Sequence, residues 1–211
     1  HLIFIVKIKI IMKVCIIGNG LTSLSLAKTL TNQGLKVDLL SNNLTNFYDK
    51  SQTLGISKNN IDFFNANIMN IDRLLWNINK IEIYSENFNN EKILNFENKK
   101  KKLFSIIKNR ELFDYLLSDL KKTKFFKFKK NLNENKFYSN YDLIINSDSK
   151  HKITKKFFFN KLNKDYNSYG HITTIKHNKL ISNDTAVQVF TKSGPIAFLP
   201  ISQTETSIVY S

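Results

Sequence analysis

The chain has 211 residues, 42% hydrophobic and 12% aromatic, which is enough apolar side chain to bury a substantial core and excludes a wholly disordered polypeptide. A formal net charge of +15 favours anionic partners, yet lysine is accompanied throughout by Asn, Ile and Phe, the residue choice of an AT-rich coding sequence, and no nucleic-acid motif accompanies it. The single Cys15 excludes an intrachain disulfide and the usual zinc spacings, and His1, His151, His171 and His177 put no two ligands on one helical face, so no metal and a reducing, cytoplasmic setting are expected.

Leu2 to Ile11 is apolar but broken by Lys7 and Lys9, too short and too charged for a membrane span, and Met12 reads as the natural start. Lys13 to Ile17 is then a continuous apolar, β-branched run, the pattern of a strand buried on both faces of a parallel sheet. It enters Gly18-Asn19-Gly20, after which Leu21, Leu24, Leu26, Ala27 and Leu30 recur at helical spacing until Gly34 stops the helix. Lys36 to Leu40 completes a strand, helix, strand unit with a right-handed crossover.

Residues 54–78 read as helical, with Ile56, Ile61, Phe64, Ile68, Ile71, Leu74 and Leu75 on a loosely periodic apolar face. Lys80 to Tyr84 and Ile93 to Phe96 alternate instead and make a hairpin. A helix is expected at 109–121 and a short buried strand at Asp142 to Asn146. From His171 onward the pattern is all strand: 171–176, 186–191, 195–199 and 207–210. The last of these stops without a turn, so the chain is expected to be truncated at its C-terminus. The segments imply two interleaved domains, with 12–78 and 101–166 forming a Rossmann-like α/β domain on a parallel sheet, and the hairpin 79–100 joining 167–211 in an antiparallel sheet.

The motif Gly18-x-Gly20-x-x-Ser23 carries the chemistry. The first glycine permits the tight turn, the second lets the backbone approach a pyrophosphate, and a small third residue keeps helix and strand close. The N–H groups and dipole at the helix start then favour phosphate charge. Gly18, Asn19, Gly20, Leu21, Thr22 and Ser23 are therefore candidate cofactor-binding residues. Ser41 stands where an acidic residue usually meets a ribose, and Asp38, inside the strand, is expected to be a surface residue. Cys15 and Trp76 are expected to be packing residues.

Val14 to Leu40 resembles the FAD-binding start of the aromatic-ring hydroxylases of the p-hydroxybenzoate hydroxylase fold. Thr53-Leu54-Gly55-Ile56-Ser57 resembles the segment after the second strand, and Asn109-Arg110-Glu111-Leu112 the helix start that contacts FAD. Gly194-Pro195-Ile196-Ala197-Phe198-Leu199-Pro200 is similar to the Gly-Pro-x-Ala-x-Leu-Pro segment of the ubiquinone-biosynthesis hydroxylases. The resemblance implies FAD as cofactor, NAD(P)H as co-substrate, and O2-dependent hydroxylation of a polyprenylated aromatic precursor, with no essential side-chain acid or base. It further implies contacts with other quinone-biosynthesis proteins and peripheral association with the inner membrane through basic runs such as Lys99 to Lys102 and Lys121 to Lys130.

Departures from the family pattern are specific. Gln52 replaces an arginine near the flavin, the Asp-Gly motif becomes Asp148-Ser149, and the later Gly-Asp-Ala segment would lie beyond Ser211. Gln52, Arg110 and Asp148 complete the candidate cofactor-binding set; Asp148 could equally cap a turn. The alternatives are another Rossmann-type FAD or NAD oxidoreductase, including an NAD-dependent dehydrogenase, or a non-catalytic basic binding protein.

Overall fold

The computed structural model describes residues 12–42, 44, 48–49, 51–88, 91–97, 102–130, 138–158, 160, 162, 164–180 and 182–211. The apolar stretch from Leu2 to Ile11 and residues 99–101 of the first lysine run lie outside them. In chain order the elements are β1 Lys13–Ile17, α1 Leu21–Asn32, β2 Lys36–Leu40, β3 Thr53–Ser57, α2 Lys58–Asn67, β4 Trp76–Ile78, β5 Lys80–Ser85 and β6 Lys92–Glu97. There follow β7 Phe104–Lys108, α3 Asn109–Leu120, β8 Phe126–Lys129, β9 Leu143–Asn146, α4 Lys152–Phe157, β10 His171–Lys176, β11 Thr185–Thr191, β12 Gly194–Pro200 and β13 Glu205–Tyr210. They fall into two compact units, one within His1–Thr45 and Leu116–Lys161, the other within Asn46–Tyr115 and Leu162–Ser211.

The first unit is a parallel sheet of four strands in the order β8-β2-β1-β9. Cys15, Ile17 and Leu40 cluster with Ile153 of α4, flanked by Tyr141 and Ile144. By the two-residue alternation of a strand, Val14, Ile16, Val37 and Leu39 face the other side, and all four are at most 1% exposed, so both faces are covered. This explains the unbroken apolar run in β1, where an alternating pattern would have left one face polar. Gly34, at φ +79°, terminates α1 as expected, its N–H donating to the Thr31 carbonyl.

Asp38 is not a surface residue. It is 4% exposed, and its carboxylate accepts from the Tyr141 hydroxyl at 2.8 Å, with Lys129 Nζ at 3.1 Å and Lys13 Nζ at 3.7 Å. A charge inside a sheet is tolerable only with such partners. Those partners come from β1, β8 and the turn before β9, which is why the isolated β2 segment did not reveal them. Burial, and then the nearby Asp38 charge, push the Cys15 thiol up to about 12, so this cysteine is an inert core group, as expected.

The second unit holds two sheets. Six strands run β10-β13-β12-β11-β5-β6, antiparallel except for the pair β5 and β11, which is parallel with Lys80 opposite Thr185. The hairpin expected at 80–96 is present, and the four strands expected after His171 all form. A further sheet, β3-β7-β4, corrects the reading of 54–78 as helix, because only Lys58–Asn67 is α-helical. Thr53–Ser57 pairs with β7 along its length and Trp76–Ile78 pairs with the other side of β7. The Ser57 hydroxyl caps α2 by accepting from Asn60 N–H, so the chain changes from strand to helix at one residue. Ile78, Ile106, Ala186 and Ile201 form the core beneath, with Trp76 packed against it and its indole N–H donating to the Asn183 carbonyl at 2.7 Å.

Two outcomes follow. Asp38→Ala leaves Lys13, Lys129 and Tyr141 without their shared acceptor and should cost roughly 3 kcal/mol or more in urea unfolding. On the β5–β6 hairpin, hydrogen bonds from Lys80, Lys92 and Tyr84 pull the Glu82 carboxyl from its usual 4.5 to about 2. A folded-state value below the unfolded one means that this contribution is fully present above pH 4.5 and is lost as pH falls toward 2. Acid unfolding of Glu82→Gln should therefore lack that part of the pH slope.

Candidate functional site

Gly18 to Ser23, Ser41 and Asp148 lie at the carboxyl edge of the parallel sheet. β1 lies between β2 and β9, so successive connections leave it in opposite directions, and a crevice opens beyond the strand ends at such a reversal. Gly18 begins the turn out of β1 with φ +124°, a conformation that strains any L side chain, and its N–H donates to the Leu40 carbonyl at 2.9 Å. A Cβ on Gly18 would stand 2.5 Å from Ser147 Oγ and 2.9 Å from Ser23 Oγ. The first glycine of the motif is therefore required twice, for its backbone and for its lack of volume.

Those two hydroxyls join the turn to β9. Ser147 donates from both its N–H and its Oγ to the Ile17 carbonyl, each at 2.9 Å, and Ser23 Oγ lies 2.6 Å from Ser147 Oγ. With the Ser147 proton directed at Ile17, Ser23 is the donor of the pair. The small third position of the motif thus holds a linking side chain as well as permitting close packing.

Gly20 caps α1 without a side-chain hydrogen bond, and the first turn of the helix contains no acidic residue. A helix start of that kind, approached through glycine, suits the charge of a pyrophosphate. Ser41 follows immediately on β2, its N–H donating to the Lys129 carbonyl. Asp38, the acid of β2, is held within the sheet by Tyr141, Lys129 and Lys13.

Asp148 follows Ser147 on the same edge, inside a tightly bonded turn. Its Oδ1 accepts from Lys150 N–H at 2.9 Å and its N–H donates to Asn146 Oδ1 at 3.1 Å. Thr154 Oγ1 donates to the Asp148 carbonyl and accepts from Asn146 Nδ2 at 2.7 Å. One carboxylate oxygen therefore caps a turn, the structural role the sequence left open.

In the second unit, Asn109 N–H donates to the Gln52 carbonyl at 3.0 Å, because β3 and β7 pair with Thr53 opposite Lys108. This sets Gln52 against the start of α3, where Arg110 is exposed in the first turn. Gly18 to Ser23, Ser41 and Asp148 thus gather in one unit, and Gln52 with Arg110 in the other. Sequence reasoning missed Ser147, Asn146 and Thr154. The only local signal was a cluster of short polar residues directly after a buried strand.

No protein-family model and no curated protein matches the sequence. Solved structures do. PqsL, described as a probable FAD-dependent monooxygenase from Pseudomonas aeruginosa, superposes with a TM-score of 0.70 at 12% identity, covering 94% of this chain and 60% of that one. The chain has the PqsL fold. Klebsiella pneumoniae HpxO, complexed with FAD, gives a TM-score of 0.68 at 14% identity over 94% of this chain and 56% of its own. A geranylgeranyl bacteriochlorophyll reductase-like protein from Thermoplasma acidophilum gives 0.65 at 13% identity, covering 95% and 56%. The chain therefore spans less than two thirds of the length of these PqsL-type structures, and at such identities the likeness establishes the fold alone.

The Ser23–Ser147 link is testable by a double-mutant cycle. Ser23→Ala and Ser147→Ala should each destabilise the chain, and the double variant should fall short of their sum by about 1 kcal/mol in urea unfolding. Full additivity would show that the hydroxyls do not act together.

Proposed function

We propose that the chain binds FAD and belongs to an NAD(P)H- and O2-dependent monooxygenase. The observation that carries this is the glycine turn at the reversal point of a parallel sheet, leading into a helix start with neither side-chain cap nor acidic residue. The turn suits a pyrophosphate, and the PqsL-type fold is one in which HpxO is complexed with FAD.

In this reading Gly18, Asn19, Gly20, Leu21, Thr22 and Ser23 hold the pyrophosphate and Ser41 lies toward the ribose. Asp148, Gln52 and Arg110 hold other parts of the cofactor. Bound flavin would supply the redox chemistry, taking electrons from NAD(P)H and delivering oxygen to an electron-rich ring. The protein's own contribution is to bind, orient and exclude water. Ser23 and Ser147 keep the turn in register with β9, and Gln52 is fixed at the head of α3 by its carbonyl.

The proposed substrate is a polyprenylated aromatic precursor of ubiquinone, with other quinone-biosynthesis proteins as partners in a cytoplasmic setting. Support for that finer reading is the Gly194-Pro195-Ile196-Ala197-Phe198-Leu199-Pro200 segment, which forms β12 in full. A second reading, a flavin-dependent reductase, is favoured by the fold's occurrence in a protein described as reductase-like.

Titration with FAD, followed by flavin fluorescence and absorbance, tests the cofactor; O2 uptake on addition of NADH or NADPH and substrate tests the reaction. Saturable FAD binding, weakened at least about tenfold by Gly18→Ala, is the expected result. Saturable NAD+ binding without FAD binding would replace the proposal with a dehydrogenase, and flavin reduction of substrate without O2 uptake would select the reductase.

A further inference from the structure

Asparagine is abundant in this chain, and Asn19-Gly20 is the one place where it is followed by glycine. That pairing has a chemistry of its own. A backbone nitrogen can attack the side-chain carbonyl of the asparagine before it, and a side chain on the residue that carries the nitrogen hinders the approach; glycine has none. In a folded chain the attack also requires that the nitrogen is not already committed to a hydrogen bond.

Asn19 and Gly20 lie between β1 and α1 and are half-buried, so water reaches them. The Gly20 carbonyl accepts from Leu24 N–H as the first bond of α1, whereas its own N–H meets no acceptor among the described residues. Asn146-Ser147 shows the opposite state. There the Ser147 N–H is committed to the Ile17 carbonyl at 2.9 Å, and the Asn146 amide is held by Thr154 Oγ1 at 2.7 Å and by Asp148 N–H at 3.1 Å. Asn167 is exposed, but Ser168 after it carries a side chain. The start of α1 adds an electrostatic contribution: with no acidic residue in its first turn and no side-chain cap, its positive end favours the negative charge that builds up as the Gly20 nitrogen loses its proton and attacks.

We propose that Asn19 is a site of spontaneous deamidation. The Gly20 nitrogen forms a bond to Asn19 Cγ, the Cγ–Nδ2 bond breaks and ammonia leaves, closing a succinimide ring with no change of oxidation state. Water then opens the ring at either carbonyl. The products are an aspartyl residue and an isoaspartyl one, whose main chain runs through the former side chain and is a methylene longer. Both place a carboxylate just before the cap of α1, and the second also lengthens the path from Gly18 to the helix. The consequence for binding rests on the flavin reading of this turn: the new charge repels a pyrophosphate, so conversion closes the turn to the cofactor.

Trypsin releases Val14 to Lys28, in which Asn19 is the only asparagine or glutamine, so any deamidation of that peptide is at this residue. The test is to incubate the whole folded chain in heavy-oxygen water at mildly alkaline pH, digest it at intervals and follow the peptide by mass spectrometry. The expected result is solvent oxygen entering it, with aspartyl and isoaspartyl forms both present, faster than at Asn146 and Asn167. Gly20→Ala, at a φ of −82° that alanine accepts, should slow the conversion at least about tenfold. The aged chain, which needs no variant to fold, and Asn19→Asp should each bind FAD at least about tenfold more weakly than the fresh chain. No conversion at Asn19, conversion no faster than at Asn146 and Asn167, or a rate unchanged by Gly20→Ala would each overturn the proposal, and undiminished FAD binding by the aged chain would overturn its consequence. Conversion as expected in a chain that does not bind FAD even when fresh would support the modification and remove the flavin reading instead.

Discussion

The Ile17 carbonyl is the point on which the first unit turns. As the last residue of β1 it ends a strand buried on both faces, where an unpaired carbonyl is costly, and it meets that demand by accepting twice from Ser147. That pairing anchors the end of β9, brings the Ser147 hydroxyl to Ser23, and leaves no room for a side chain at residue 18. The glycine turn, the start of α1 and the turn holding Asp148 therefore share one constraint. A change at any of them is felt at the others.

The same logic explains how much could be read from sequence. Periodicity located β1, α1, β2, the β5–β6 hairpin, α3, β9 and the strands after His171 because their apolar patterns repeat over several residues. It failed at β3, where only Ile56 is buried, and at β8, whose Phe126-Lys127-Phe128-Lys129 alternation was hidden inside a lysine run. β4, of three residues, and α4, of six, are too short to show a period. Asp38 was misread for a related reason: a residue's charge says nothing of partners that arrive from three other segments.

The candidate site was legible where it is local and illegible where it is not. Gly18, Gly20 and Ser23 stand at motif spacing and could be named from their neighbours alone. Ser147 is separated from Ser23 by 124 positions, and only the sheet order β2-β1-β9 brings it there. The resemblance to flavin-dependent hydroxylases was carried by such local segments, and the fold agrees with it at the level of PqsL and HpxO. The structure adds the hydroxyl link that fills the place of the motif's third glycine.

The parallel pairing of β5 with β11 has a consequence for how the chain acquires its shape. Lys80 lies opposite Thr185, so the central strand of the six-stranded sheet arrives long after the hairpin it must join. Closing so distant a contact is entropically slow, and during synthesis the β5–β6 hairpin leaves the ribosome with one side of its ladder unsatisfied. β6 cannot shield that side, since it occupies the other. The interval before β11 emerges is thus a window in which β5 can pair with a strand of another molecule, and high expression at elevated temperature should populate that off-pathway association first.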